Sequence, residues 1–225
     1  MGVKMNVVKL GNILNSNPPV VDTSKKTLCI IGGSIALQSQ NNSAMAKAAG
    51  FADVLVVAVG GGGLGVGTTF LQQWNSIADK SNISHVVIWL STNDYANGYP
   101  LGQYDSNSLD SDNTCCGKFF MLNRAIHDYN PFIKVAVFGA LPCFKRNVGA
   151  TDKGESDLIQ GNFREYTTEI FKVASNLFLP RLDQWMFLNI AWRWREYITQ
   201  QDELHFLPAA YNQIFNAQVD FLRRI

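Results

Sequence analysis

The chain has 225 residues, 47% of them hydrophobic and 16% charged, with 19 Lys and Arg against 18 Asp and Glu. That length fits one α/β domain or two small ones, and it can bury a core without disulfides or a structural metal. A formal net charge of +1 excludes the strong positive field that draws in nucleic acid or an anionic membrane.

Residues 1–26 read as a polar lead-in broken by Asn17-Pro18-Pro19, and residues 27–225 as one domain. Lys9 and Gly11 interrupt the short apolar stretch near the start, so no secretory leader is read there. No apolar run approaches the ~20 residues of a membrane helix. The cytoplasm is the default expectation for this chain. The cysteines are Cys29, Cys115, Cys116 and Cys143, with no C-x-x-C pair, which argues against a zinc ribbon or a redox site. A bridge from Cys115 or Cys116 to Cys143 stays open.

From residue 27 onward, apolar runs alternate with helical patterns. Thr27–Ile31 predicts a first strand. Ser43–Ala49 predicts a helix, and Val54–Val59 a second strand. Phe70, Leu71, Trp74 and Ile77 give Thr68–Lys80 a helical period before a third strand, His85–Leu90. A helix over 117–129 precedes a fourth strand, Ile133–Phe138; a helix over Ser156–Phe178 precedes a fifth, Trp185–Ile190; a last helix spans about 208–223. The strands are short, β-branched or aromatic and nearly continuous, as strands buried on both faces are. The expected fold is three-layer α/β/α, with a flavodoxin-like sheet of five mostly parallel strands. Ligands then bind at the carboxyl ends of the strands.

That rule sorts the chemistry-bearing residues. His85 and His127 fall at the bottom edge, and only His205 falls at the top, in Asp202-Glu203-Leu204-His205. An Asp three residues before a His can accept its Nδ1–H and leave Nε2 to take a proton. After the first strand comes Gly32-Gly33-Ser34, a hydroxyl at a sharp turn, able to serve as a nucleophile. After the second comes Gly60–Gly67, whose bare N–H groups suit a developing oxyanion; Gly60-x-Gly62-x-x-Gly65 also fits a dinucleotide fingerprint formally. After the third comes Ser91-Thr92-Asn93-Asp94, with an amide able to point into a site. Asp105, Asp110 and Asp112 lack the Gly and Glu positions of a calcium loop, so no metal site is expected.

Ser, Gly, Asn and Asp-x-x-His in this order, over residues 27–222, resemble the four motif blocks of the SGNH hydrolases, the GDSL-type esterases and lipases. The resemblance implies a Ser34 nucleophile with Asp202 and His205. It implies an oxyanion hole of the Ser34 N–H, Gly61 and Asn93, with Gly62 or Gly63 as alternatives to Gly61. No cofactor is implied. Two positions depart from the family pattern: Gly33 stands where the family usually has Asp, and Ser91 where it usually has Gly.

Tyr95, Trp192 and Trp194 flank the inferred site among hydrogen-bonding side chains. Flat aromatic faces of that kind suit a sugar ring. The expected activity is hydrolysis of short-chain esters, with O-acetyl groups on a carbohydrate as the substrate. The competing readings are a nucleotide- or flavin-binding protein using Gly60–Gly67, and a non-catalytic binding module of the same fold.

Overall fold

The computed structural model describes residues 26–103, 113–141, 162–187 and 205–225. Its sheet has five strands, all parallel: β1 (Thr27–Gly32), β2 (Asp53–Val56), β3 (Ile83–Trp89), β4 (Lys134–Phe138) and β5 (Arg181–Leu182), in spatial order β2-β1-β3-β4-β5. The helices are α1 (Ser34–Gln38), α2 (Asn42–Ala48), α3 (Phe70–Ser76), α4 (Asn93–Ala96), α5 (Cys115–Tyr129), α6 (Asn162–Asn176) and α7 (Pro208–Leu222).

The two-residue period of the strands feeds two cores. Cys29 and Ile31 of β1, Val86 and Ile88 of β3, and Val135 and Val137 of β4 face Trp74, Phe119, Leu122 and Val173 of α3, α5 and α6. Leu28 and Ile30, Val87 and Trp89, and Ala136 and Phe138 face Met45 of α2 and Ile214 and Leu222 of α7. Helices on both faces and an all-parallel sheet make the expected three-layer architecture. β2 is shorter than its apolar run, yet Val57 N and Val59 N still donate to Ile30 O and Gly32 O at 3.0 and 3.1 Å.

The expected fifth strand, Trp185–Ile190, requires correction. Pairing with β4 occurs earlier, at Arg181–Leu182, and Gln184–Phe187 form a 3₁₀ turn. Gln184 and Trp185 are turned so that Gln184 Nε2 donates to Gly139 O and Trp185 Nε1 to Ala140 O, both at 2.6 Å, capping the end of β4 with side chains. Residues 188–190 lie outside the described residues.

His85 lies within β3 and is buried, its ring edge-on to Phe51. Burial and the nearby charges of Lys134 and Lys26 push its pKa down to about 4, so it stays neutral. The thiols of Cys29, Cys115 and Cys116 are buried. Burial pushes Cys29 up to about 12 and raises Cys115 as well, as expected of small core residues. Cys143 lies outside the described residues.

Candidate active site

Three strand ends converge at the top edge. β1 ends at Gly32, and Gly33 is the extended N-cap of α1, so Ser34 is the first helical residue. Its N–H therefore has no acceptor within the helix. His205 arrives from the far end of the chain, three residues before Pro208 opens α7, where proline's fixed φ suits the first turn. One turn into α7, Tyr211 Oη donates to Ile35 O at 2.9 Å. That bond ties α7 to the residue after Ser34. The result is His205 Nε2 lying 3.0 Å from Ser34 Oγ, across 171 residues of sequence.

The end of β1 is clamped by a side chain on α3. Gly32 N donates to Gln73 Oε1 at 3.1 Å, and Gln73 Nε2 donates to Gly32 O at 3.0 Å and to Thr68 O at 3.1 Å. Gln73 is 1% exposed. The sequence reading missed this residue, although a signal was present: Gln73 shares the buried face of α3 with Phe70 and Trp74.

The Gly-rich loop is held from within. Gly62 N donates to Val59 O, closing a turn over Gly60 and Gly61, and Gly61 has φ +74°. That is the left-handed region glycine reaches without strain. Gly63 N donates to Val66 O. Leu64 N and Gly65 N donate to the two carboxylate oxygens of Asp94, each at 2.8 Å. Burial raises the Asp94 pKa, and these backbone bonds oppose the rise. The N–H groups of residues 62 to 65 are thus committed, and a buried carboxylate sits where a phosphate cradle needs donors. This counts against the dinucleotide reading of Gly60–Gly67. It also favours Gly61 over Gly62 and Gly63 as a donor to a bound group.

Asn93 is the first residue of α4. Its Nδ2 donates to Gly62 O at 2.8 Å, which spends one of the amide's two hydrogens and fixes the plane of the group. Ser91 Oγ donates to the same Gly62 O at 3.0 Å and accepts from Asn93 N at 3.3 Å.

Ser34, His205, Asn93 and Gly61 therefore stand on elements that meet at one sheet edge. Tyr95 requires correction as a substrate contact: α4 carries it into the core, 3% exposed and edge-on to Tyr166. Asp202, Trp192 and Trp194 lie outside the described residues. Among the described residues, no cluster of His, Cys, Asp and Glu could hold a metal, and no helix is long and apolar enough to cross a membrane.

No family model and no curated protein matches the sequence. Solved structures do match. A lipase/acylhydrolase from Enterococcus faecalis is 17% identical with a TM-score of 0.61, the match covering 88% of this chain and 96% of that one. A GDSL-like lipase from Bacteroides thetaiotaomicron VPI-5482 is 14% identical with a TM-score of 0.59, covering 96% and 95%. A protein from Lactobacillus plantarum is 18% identical with a TM-score of 0.66, covering 88% and 97%. The fold is the one these three structures share.

Proposed function

We propose that this chain, which has the fold of the SGNH hydrolases, is a serine esterase that works through an acyl-enzyme. The observation that carries the reading is the 3.0 Å approach of His205 Nε2 to Ser34 Oγ. With its proton on Nδ1, the imidazole accepts the hydroxyl proton through Nε2 as Ser34 attacks an ester carbonyl. Asp202, three residues before His205 in the sequence, holds that tautomer and stabilises the imidazolium. The Ser34 N–H, the Gly61 N–H and the second amide hydrogen of Asn93 receive the oxyanion. The imidazolium then protonates the departing alcohol. Water, deprotonated by the same histidine, releases the acid and restores Ser34.

The substrate we propose is a short-chain ester, with a carbohydrate O-acetyl group as the specific case. With Tyr95 in the core, the aromatic argument for a sugar rests on Trp192 and Trp194. The test is a series of p-nitrophenyl esters from acetyl to palmitoyl, run beside acetylated oligosaccharides. Acetyl esters are expected to turn over fastest, and acetate release from the oligosaccharide to fall in Trp192→Ala and Trp194→Ala. Palmitoyl esters turning over much faster than acetyl esters would refute the short-chain claim. Acetate release unaffected by both tryptophan variants would refute the sugar platform.

A further inference from the structure

Neither the nucleophile nor the oxyanion donors account for the two positions at which this chain departs from the family pattern, Gly33 and Ser91. The structure puts those two residues against each other. A Cβ built on Gly33 would lie 2.8 Å from Ser91 Cβ, 2.9 Å from Gly62 O and 3.0 Å from Asn93 Nδ2. Real side-chain carbons do not come that close, so Ser91 and the Gly62 carbonyl together require residue 33 to be bare.

The Ser91 Cβ stands in that space, and the hydroxyl it carries has both of its roles in use. Ser91 Oγ donates its one hydrogen to Gly62 O at 3.0 Å and accepts from the backbone N–H of Asn93 at 3.3 Å. The Asn93 side chain converges on the same Gly62 O at 2.8 Å. Ser91 thus fastens Asn93 twice: directly at its main chain, and through the carbonyl that orients its amide. It also supplies the cap that Thr92 does not, since the Thr92 side chain makes no capping bond to α4. A Ser or Thr hydroxyl reaching an N–H two residues on is a common local motif. Here the residue it reaches is the proposed oxyanion asparagine.

We infer that Ser91 is a positioning residue for the oxyanion site, acting through Asn93, and that Gly33 is the cleared space its side chain occupies. This rests on the esterase reading. Preorganisation of an oxyanion donor is what makes it effective, because it need not reorient as charge develops. Loss of the brace therefore lowers kcat and leaves KM in place.

The experiment is a double-mutant cycle on p-nitrophenyl acetate hydrolysis. S91A is expected to lower kcat about tenfold, the size of one or two hydrogen bonds, with KM unchanged and thermal unfolding little moved. In an N93A background, the same S91A change is expected to alter kcat less than twofold, because the group it positions is gone. A merely structural serine predicts the same loss in both backgrounds, and that result overturns the inference. So does an S91A effect confined to KM. In a second arm, G33A is expected to cost less activity in an S91G background than beside Ser91; equal cost in both would refute the pairing. Ser34→Ala separates the two levels of the argument. If that variant retains turnover, the esterase reading itself fails. If it is inactive and N93A is crippled while S91A is additive, only the role of Ser91 fails.

Discussion

Gln73→Met removes the clamp on the end of β1 while nearly preserving side-chain length. The wild-type amide makes three bonds to Gly32 N, Gly32 O and Thr68 O. Gly32 O keeps Val59 N as a donor, so the groups left without their partner are the Gly32 N–H and the Thr68 carbonyl. A buried polar group stripped of its partner costs about 1–3 kcal/mol. The Gly32 N–H is such a group, whereas Thr68 is exposed and its carbonyl can turn to water, so the expected loss is about 1–3 kcal/mol. That is a large share of the ~5–15 kcal/mol that holds a domain together. Urea unfolding followed by fluorescence should show a lower midpoint with an unchanged slope. Because Gly32 is two residues from Ser34, kcat measured well below the unfolding transition should fall as well. A stability loss under about 0.5 kcal/mol with full kcat would show that the amide is not a clamp.

Asn93→Ala should lower kcat by about 10²–10³ with little change in KM, the usual cost of one lost oxyanion donor; an effect on KM alone would make Asn93 a ground-state contact. Thr167 Oγ1 is buried with no hydrogen-bond partner, so Thr167→Val should be neutral or stabilise by about 1 kcal/mol, read as a rise in Tm; a fall would mean that the hydroxyl has a partner in solution. His85 titrates at about 4 in the fold against ~6.5 when unfolded. Between those values the unfolded chain binds the extra proton, so stability should fall as pH drops through that window and this contribution should level off below it. His85→Gln should flatten that slope between pH 7 and 5 in urea titrations, and an unchanged slope would contradict the assignment.

Much of this was legible because apolar runs are unambiguous when both faces of a strand are buried. β1, β3 and β4 fall where Thr27–Ile31, His85–Leu90 and Ile133–Phe138 place them, to within two residues. Once the strands are parallel, the top-edge rule alone separates His205 from His85 and His127. The fifth strand was less legible, because Trp185 and Met186 look like strand residues by composition, while hydrogen bonding to Gly139 and Ala140 draws the chain into a turn. Tyr95 misled for a related reason. It is two residues from Asn93 in sequence, but α4 turns it into the core.

Gln73 and Ser91 are ordinary polar residues whose role depends on which carbonyl they meet. Gly32 is 41 residues from Gln73 and Gly62 is 29 from Ser91, separations over which the helical pattern that buries Gln73 does not name its partner. Asp94 belongs to the same class. It reads as half of an Asn-Asp turn, yet its carboxylate organises the Gly-rich loop 30 residues upstream.

The central claim is that Ser34 is a nucleophile because His205 lies beside it. The direct measurement is fluorophosphonate labelling of the intact protein, followed by peptide mass spectrometry and repeated across pH. One phosphonyl group should appear, on Ser34, and its rate of attachment should fall in acid as the histidine base takes up a proton. The modification should vanish in Ser34→Ala and slow sharply in His205→Ala, with both variants still folded. Labelling of another serine, or an undiminished rate in His205→Ala, would contradict the account.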